Sequence, residues 1–337
     1  MSTDRARPSA ALVMFPGLDD RVIGPTARAR LEVAVDLVTP TAFATPDDLT
    51  GELAGHVEVL ITGWGCPRLD GVVLDALPAL RMVAHAAGTV RPIVSGALWD
   101  RGVVVTSAAA ANAVPVAEFT FAAIVMVAKD VFAIRDRHRT VRGGRPVVDH
   151  ARMGTFGRTI GIVGASMIGR LVIERLRTLD VDVVVADPFL GDEEAADLGV
   201  RGVDLDELLT EADVVSLHAP LHDGTRHMIG ADQLALMRDG AWLLNTARGG
   251  LVDTEALTAE VASGRLRTFV DTPDPEPLPV ESPLYDLEGA VLTPHIAGSL
   301  GSEVARMGNL AVSEVERFVA GQTPLHPVVR ADLDRIA

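Results

Sequence analysis

One stretch constrains this chain more than any other. Thr159 to Val163 is a short apolar run, closed by Gly164-Ala-Ser166-Met167-Ile168-Gly169. Ile168, Leu171, Val172 and Leu176 then keep helical spacing, and a second β-branched run from Val181 ends on Asp187. Strand, glycine turn, helix and second strand make a parallel βαβ unit. In such a unit Gly164 permits the tight turn, the helix N-terminus faces a pyrophosphate, and an acid about 20 residues on bonds the ribose hydroxyls. The stretch therefore predicts dinucleotide binding, with Gly164, Ser166, Met167, Ile168 and Asp187 at the ligand.

The pattern departs from its type at one position. Gly-x-Gly-x-x-Gly is replaced by Gly164-x-Ser166-x-x-Gly169. A middle glycine lets the backbone approach the phosphates with no Cβ in the way. Serine adds that Cβ, and two readings follow: its hydroxyl donates to a phosphate oxygen, or it is only a steric compromise. Asp187 favours NAD, because a carboxylate repels a 2′-phosphate and Pro188-Phe189-Leu190-Gly191 offers no cation to receive one.

At 337 residues the chain is comfortable for two domains, and 48% apolar residues supply the cores. A net charge of −16 and a pI near 4.9 argue against nucleic acid and anionic membrane as partners. Cys66 is the single cysteine, so no intrachain disulfide forms, and it reads as a structural thiol. Met1 to Ala10 has no apolar leader core, and no uninterrupted apolar run of about 18 residues occurs. A cytoplasmic enzyme fits best. No His, Cys, Asp or Glu spacing matches a metal site.

In chain order, strands are expected at Ala11 to Phe15, Val57 to Thr62, Leu80 to Ala86 and Val103 to Thr106. Helices are expected at Ala27 to Val35 and Ile93 to Asp100. This alternation predicts a first α/β unit with a parallel sheet. Two of its strands end in glycine loops, Gly63-Trp64-Gly65 and Ala87-Gly88-Thr89, and strand carboxyl ends are where open α/β sheets bind ligands. Asn112 to Arg137 reads as one long helix, and Arg139 to Thr155 as an arm or linker. Strands follow the βαβ unit at Val214 to Leu217, Trp242 to Leu244, Thr268 to Asp271 and Ala290 to Thr293. Helices fill Leu205 to Glu211, Asp232 to Met237 and Thr254 to Ser263, and Leu300 to Ala320 is a final long helix capped by Gly321.

The later loops carry the chemistry: Asn245-Thr246-Ala247-Arg248-Gly249, Asp271-Thr-Pro-Asp-Pro-Glu276-Pro, and Thr293-Pro-His295-Ile-Ala-Gly298. With Asn112-Ala-Val-Pro-Val-Ala-Glu118 and His218-Ala219-Pro220 they resemble, from about Leu80 to Gly298, the D-isomer-specific 2-hydroxyacid dehydrogenases. The first 60 residues or so are less diagnostic. The resemblance implies NAD as cofactor and hydride transfer to a small 2-keto acid, or the reverse. It makes His295 the acid/base, Glu276 its partner and Arg248 the clamp for the substrate carboxylate. A histidine exchanges protons near neutral pH, a carboxylate orients its ring, and a guanidinium grips a carboxylate by two parallel bonds.

The same resemblance places Asp271 at the nicotinamide carboxamide, and lines the cofactor with His218, Ala219, Pro220, Thr225, Thr246, Ala247, Arg248 and His295. It places the substrate against Ala87, Gly88, Thr89, Arg248 and His295. Trp64 joins them if it turns toward the cleft. There Arg91 reads either as a second cationic point for a distal anion or as a solvated turn residue. His85 reads as a packed residue.

The expected architecture is two Rossmann-like or flavodoxin-like α/β domains with parallel sheets and an active site in the interdomain cleft. Residues 1–111 form the substrate-binding domain, completed by 300–337, and 112–299 the NAD-binding Rossmann domain. The resemblance also implies a homodimer. Formate dehydrogenases place Gln where Glu276 stands, and phosphite dehydrogenases need a lysine near Gly88 that is absent here. From another class, an NAD(H)-sensing regulatory protein on the same scaffold would keep these residues without significant turnover.

Overall fold

A computed structural model describes residues 6–38, 42–43, 54–144 and 153–333. The chain divides into two compact units: Met1–Ala113 with Ser299–Ala337, and Val114–Gly298. The strands are β1 Ser9–Val13, β2 Asp36–Leu37, β3 Val59–Thr62, β4 Met82–His85 and β5 Val104–Ser107 in the first unit. The second unit carries β6 Arg158–Val163, β7 Val181–Ala186, β8 Arg201–Gly202, β9 Val214–Leu217, β10 Trp242–Asn245, β11 Arg267–Val270 and β12 Ala290–Leu292.

Both sheets are parallel, as the alternation of apolar runs and helices predicts. The first runs β2-β1-β3-β4-β5. The second runs β12-β11-β10-β9-β6-β7-β8, and its order reverses between β6 and β9. Parallel strands covered on both faces read as continuous apolar runs, and successive residues point to opposite faces. Accordingly Leu12, Ile61 and Ala84 enter one core of the first unit, while Val13, Leu60 and Val83 enter the other. In the second unit Leu243 and Leu244 divide in the same way.

The chain returns to its first unit at the end. The helix Val304–Val319 lays Val304, Met307, Ala311, Val312 and Val315 onto the core that holds β1 and β4. Its Gly308 passes directly over the Val22 carbonyl group, and a Cβ there would lie 2.6 Å from the Val22 carbonyl carbon. The buried Glu314 carboxylate accepts from the backbone of Leu325 and His326, which brings Val328 N within 2.8 Å of the Val105 carbonyl.

The long helix expected over Asn112 to Arg137 is two helices, Ala109–Ala128 and Val131–Val141. Asp130 breaks it with a left-handed backbone (φ 54°), and Arg267 Nη1 donates to its carboxylate at 2.9 Å. Aspartate tolerates that conformation better than most residues. The break is silent in the apolar pattern because Val127 and Val131 keep helical spacing across it. The expected arm is helical as far as Val141, and part of it, residues 145–152, lies outside the described residues. Ala109–Ala128 is long and apolar enough to span a bilayer, but Ala117, Ala123, Ile124 and Val127 pack into the core of the second unit.

Gly308→Ala is expected to cost about 1–3 kcal/mol by forcing a methyl group into packed backbone. Gly71→Ala, with no atom within 4 Å of the new Cβ, is expected to shift stability by less than about 0.5 kcal/mol. Urea unfolding midpoints of the two variants check both.

Candidate active site

In the second unit the glycine turn and the Asp187, His218, Arg248, Glu276 and His295 positions leave the carboxyl edge of one sheet, while the motif Asn112 to Glu118 lies within the helix Ala109–Ala128. Gly164 follows β6, Asp187 follows β7, His218 follows β9, Arg248 follows β10, Glu276 follows β11 and His295 follows β12. The glycine turn and the His218 loop stand at the point where strand order reverses, the usual ligand crevice of such sheets. A cavity of about 510 Å³ lies at the opposite edge, lined by Arg158, Val214, Trp242 and Arg267 from the strand starts, and is distinct from this site.

The fit of this edge to a dinucleotide is visible in its glycines. Gly164 has φ +98°, and a Cβ there would lie 2.7 Å from the Ala219 nitrogen. Gly169 faces the Gly164 carbonyl so closely that no side chain fits. Ser166 is the N-cap of the helix Met167–Leu176, its Oγ accepting from Gly169 N at 3.3 Å. This cap is a task that neither reading of Ser166 foresaw, and it leaves the hydroxyl proton available to an acceptor. The first-turn N–H groups of Met167 and Ile168 have no intrahelical acceptor and suit a phosphate. Asp187 takes Ala165 N on one oxygen at 2.7 Å and Phe189 N on the other at 2.8 Å, which fixes the carboxylate at the end of β7.

The candidate cofactor-lining residues divide between main-chain and side-chain tasks. His218 is buried, its Nε2 lies 2.9 Å from Ser216 Oγ, and burial pushes its pKa down to about 3. It is a neutral framework residue whose backbone, with Ala219, shapes the turn beside Gly164. Thr225 Oγ1 donates to the Pro220 carbonyl at 2.6 Å and closes that loop. Thr246 Oγ1 is 2.7 Å from Thr120 Oγ1, both buried, which ties the Arg248 loop to the helix Ala109–Ala128. Sequence reading did not single out Thr120, because its partner lies 126 positions away.

Arg248 sits on a turn built by Asn245, whose amide accepts from Ala247 N at 3.1 Å and donates to the Arg248 carbonyl at 2.8 Å. Its own Nη1 donates to the Ala247 carbonyl at 2.7 Å. Gly249 packs over Pro273 and Asp274, joining this turn to the loop that carries Glu276.

His295 and Glu276 meet. His295 Nδ1 lies 2.7 Å from Glu276 Oε1, with both side chains about half exposed. An ionised carboxylate only accepts, so Nδ1 carries the proton and Nε2 is left to exchange one with a ligand. His295 has φ +53°, a left-handed conformation costing roughly 1–2 kcal/mol. Asp271 holds it there. Its fully buried carboxylate accepts from Thr293 Oγ1 at 2.6 Å, Ile296 N at 2.8 Å and Ala297 N at 2.9 Å. The family resemblance places this carboxylate at the nicotinamide carboxamide; in the fold its partners are these three donors of the His295 turn.

In the first unit the candidate substrate residues follow β3 and β4. Trp64 is 39% exposed, and its carbonyl accepts from Phe15 N at 2.7 Å. Ala87 is buried, and Gly88 and Thr89 are partly exposed. Ser107 Oγ donates to the Gly88 carbonyl at 2.6 Å. Arg91 is not a solvated turn residue: Nη2 donates to the Leu333 carbonyl, which directs the guanidinium to the chain's last described turn. His85 is packed, with Nδ1 2.8 Å from Thr62 Oγ1, and burial pushes its pKa down to about 4. Burial pushes the Cys66 thiol up to about 12, so it is inert at neutral pH.

The two buried histidines predict acid lability. Each is neutral in the fold and free to charge near pH 6.5 when unfolded, so the unfolded state binds more protons below that pH. Stability is complete above about 6.5 and falls by about 1.4 kcal/mol per pH unit per group, down to the folded values of about 4 for His85 and 3 for His218. The urea midpoint should drop between pH 7 and pH 5, and drop less in His218→Asn.

Residues 121–297 match the family model described as D-isomer specific 2-hydroxyacid dehydrogenase, NAD binding domain. The chain is 37% identical over 254 residues to an (S)-sulfolactate dehydrogenase of Chromohalobacter salexigens, covering 74% of this chain and 81% of that one. It is 35% identical over 262 residues to a glyoxylate reductase of Korarchaeum cryptofilum, covering 76% and 78%. A phosphoglycerate oxidoreductase from Rhizobium etli has the same fold, with a TM-score of 0.80, 26% identity, and 96% and 99% of the two chains covered. The family match covers the strand edge that carries the glycine turn, Arg248, Glu276 and His295. The chain therefore belongs to the D-isomer-specific 2-hydroxyacid dehydrogenase family and is an NAD-dependent enzyme that interconverts 2-keto and 2-hydroxy acids.

Proposed function

We propose that this enzyme reduces a short 2-keto acid to the D-2-hydroxy acid, or runs the reverse, with His295 as acid/base, Glu276 as its partner and Arg248 as the carboxylate clamp. The observation that carries the reading is the 2.7 Å pairing of His295 Nδ1 with Glu276 Oε1 on a turn anchored by Asp271. NAD, when bound, supplies the hydride acceptor or donor. The chain supplies the rest. Glu276 keeps the proton on Nδ1 and stabilises the imidazolium, and Nε2 passes a proton to the carbonyl oxygen as the substrate is reduced. The Arg248 guanidinium takes the substrate carboxylate and fixes which face of C2 is presented.

The cofactor role of the second unit divides by residue on this reading. The Gly164 turn, the Ser166 hydroxyl and the N–H groups of Met167 and Ile168 receive the pyrophosphate. Asp187, held by Ala165 N and Phe189 N, accepts the ribose hydroxyls and repels a 2′-phosphate. Backbone of Ala219, Pro220, Thr246 and Ala247 lines the nicotinamide half, and Asp271 acts through the shape of the His295 turn. The first unit's substrate candidates, Ala87, Gly88, Thr89 and Trp64, rest on the family resemblance alone.

The named relatives put glyoxylate first among candidate substrates and sulfopyruvate, the keto acid of sulfolactate, second. NADH oxidation with glyoxylate, pyruvate, sulfopyruvate and phenylpyruvate tests the reading. At least one acid should be turned over, with kcat/KM for NADH well above that for NADPH. His295→Ala should lower kcat by about 10² to 10⁴ while NADH fluorescence titrations change little. No oxidation with any of the four acids, or full activity of His295→Ala, would overturn it.

A further inference from the structure

The Glu276 carboxylate is 45% exposed, and among the described residues its one hydrogen bond is to His295. A glutamate side chain with several free torsions and no second tether takes its aim from its backbone. That backbone is pinned two residues upstream. Thr254 Oγ1 donates to the Asp274 carbonyl at 2.6 Å, and Arg226 Nη1 donates to Asp274 Oδ2 at 3.3 Å. Gly249 closes over the preceding peptide, where a Cβ would lie 2.6 Å from the Asp274 nitrogen. Between this anchor and Glu276 stands only Pro275, whose ring fixes its φ, and Pro277 restricts the backbone of Glu276 from the other side.

The two anchors are themselves held. Thr254 is the first residue of the helix Thr254–Ala262, whose N-cap Asp253 accepts from Glu255 N and Ala256 N. Arg226 belongs to a turn bound to the Arg248 side of the site: His227 N donates to the Gly250 carbonyl at 2.8 Å, and a Cβ on Gly250 would lie 3.4 Å from Arg226 Nη2. The Arg226–Asp274 pair is 55% and 36% exposed, so solvent screens it and its worth to stability is small. The Thr254 bond is shorter and partly buried, and it is the stronger of the two.

Resting on the reading above, we infer that Thr254 and Arg226 are positioning residues: by holding Asp274 they set the direction from which Glu276 meets His295. Neither belongs to the cofactor or substrate contacts assigned above. Their effect passes through Glu276 alone, and that is what distinguishes positioning from general support of the fold.

A double-mutant cycle on the whole enzyme tests this, with NADH and the panel acid of highest kcat/KM, glyoxylate on this reading. Thr254→Val should lower kcat about tenfold with NADH affinity changed by less than about twofold, and Arg226→Gln should lower it about threefold. Thr254→Ser, which keeps the hydroxyl, should stay within about twofold of the unaltered enzyme. In a Glu276→Gln background Thr254→Val should change kcat by less than about twofold, because the carboxylate it aims is gone. An equal loss in both backgrounds, or no loss in the unaltered one, overturns the inference and leaves the His295–Glu276 reading intact. A Glu276→Gln variant with undiminished kcat overturns both.

Discussion

The active-site half of this molecule depends on the buried carboxylate of Asp271. A charge taken out of water is tolerated only when hydrogen bonds replace its hydration. Asp271 has three such bonds, from Thr293 Oγ1, Ile296 N and Ala297 N, each worth about 1.5–3 kcal/mol for a charged acceptor. All three donors lie on the turn that carries His295. Its main chain is engaged as well, since its nitrogen donates to the Asn245 carbonyl and its carbonyl accepts from His295 N, both at 2.9 Å. One residue thus joins the end of β11 to the turns that follow β10 and β12. A left-handed histidine persists only where its surroundings over-determine it, and Asp271 supplies that constraint.

The nucleotide half depends on closeness rather than charge. Gly164 and Gly169 cannot be anything larger, because the Ala219 nitrogen and the Gly164 carbonyl occupy the space a Cβ would take. Position 166 is not crowded in this way. Serine there caps the helix, a role for which it is among the preferred residues. The apparent defect in the glycine pattern is thus a helix cap placed where a helix begins.

Apart from the two-residue β2 and β8, which no apolar run announces, the strands were legible because each is an apolar run closed by glycine or polar residues, and the three catalytic candidates because their motifs fall at strand ends. Other features carried weaker signals. The break at Asp130 lies between Val127 and Val131, which keep their spacing whether or not the helix continues. The helix Asp192–Leu198 begins with three acids and buries only Ala195, so it has no apolar stripe to read. The helix Gly71–Ala76 was not expected; its N-cap Asp70, whose side chain accepts from Val72 N and Val73 N, is the signal that could have found it. Links such as Thr120 to Thr246 or Thr254 to Asp274 join positions far apart in the chain and follow no periodicity. Asp271 stands out at a strand end in its motif, but the partners of its carboxylate are decided by the turn that folds over it.

The measurement that bears most directly on this account is kcat of Asp271→Asn with saturating NADH and glyoxylate. Asparagine keeps the volume but offers one acceptor and one amino group, so a donor must face the N–H of either Ile296 or Ala297. If Asp271 governs the His295 turn, turnover should fall by about 10² or more, approaching that of an enzyme without the histidine. An Asp271→Asn enzyme that keeps more than about half its turnover would contradict the central role given to that carboxylate.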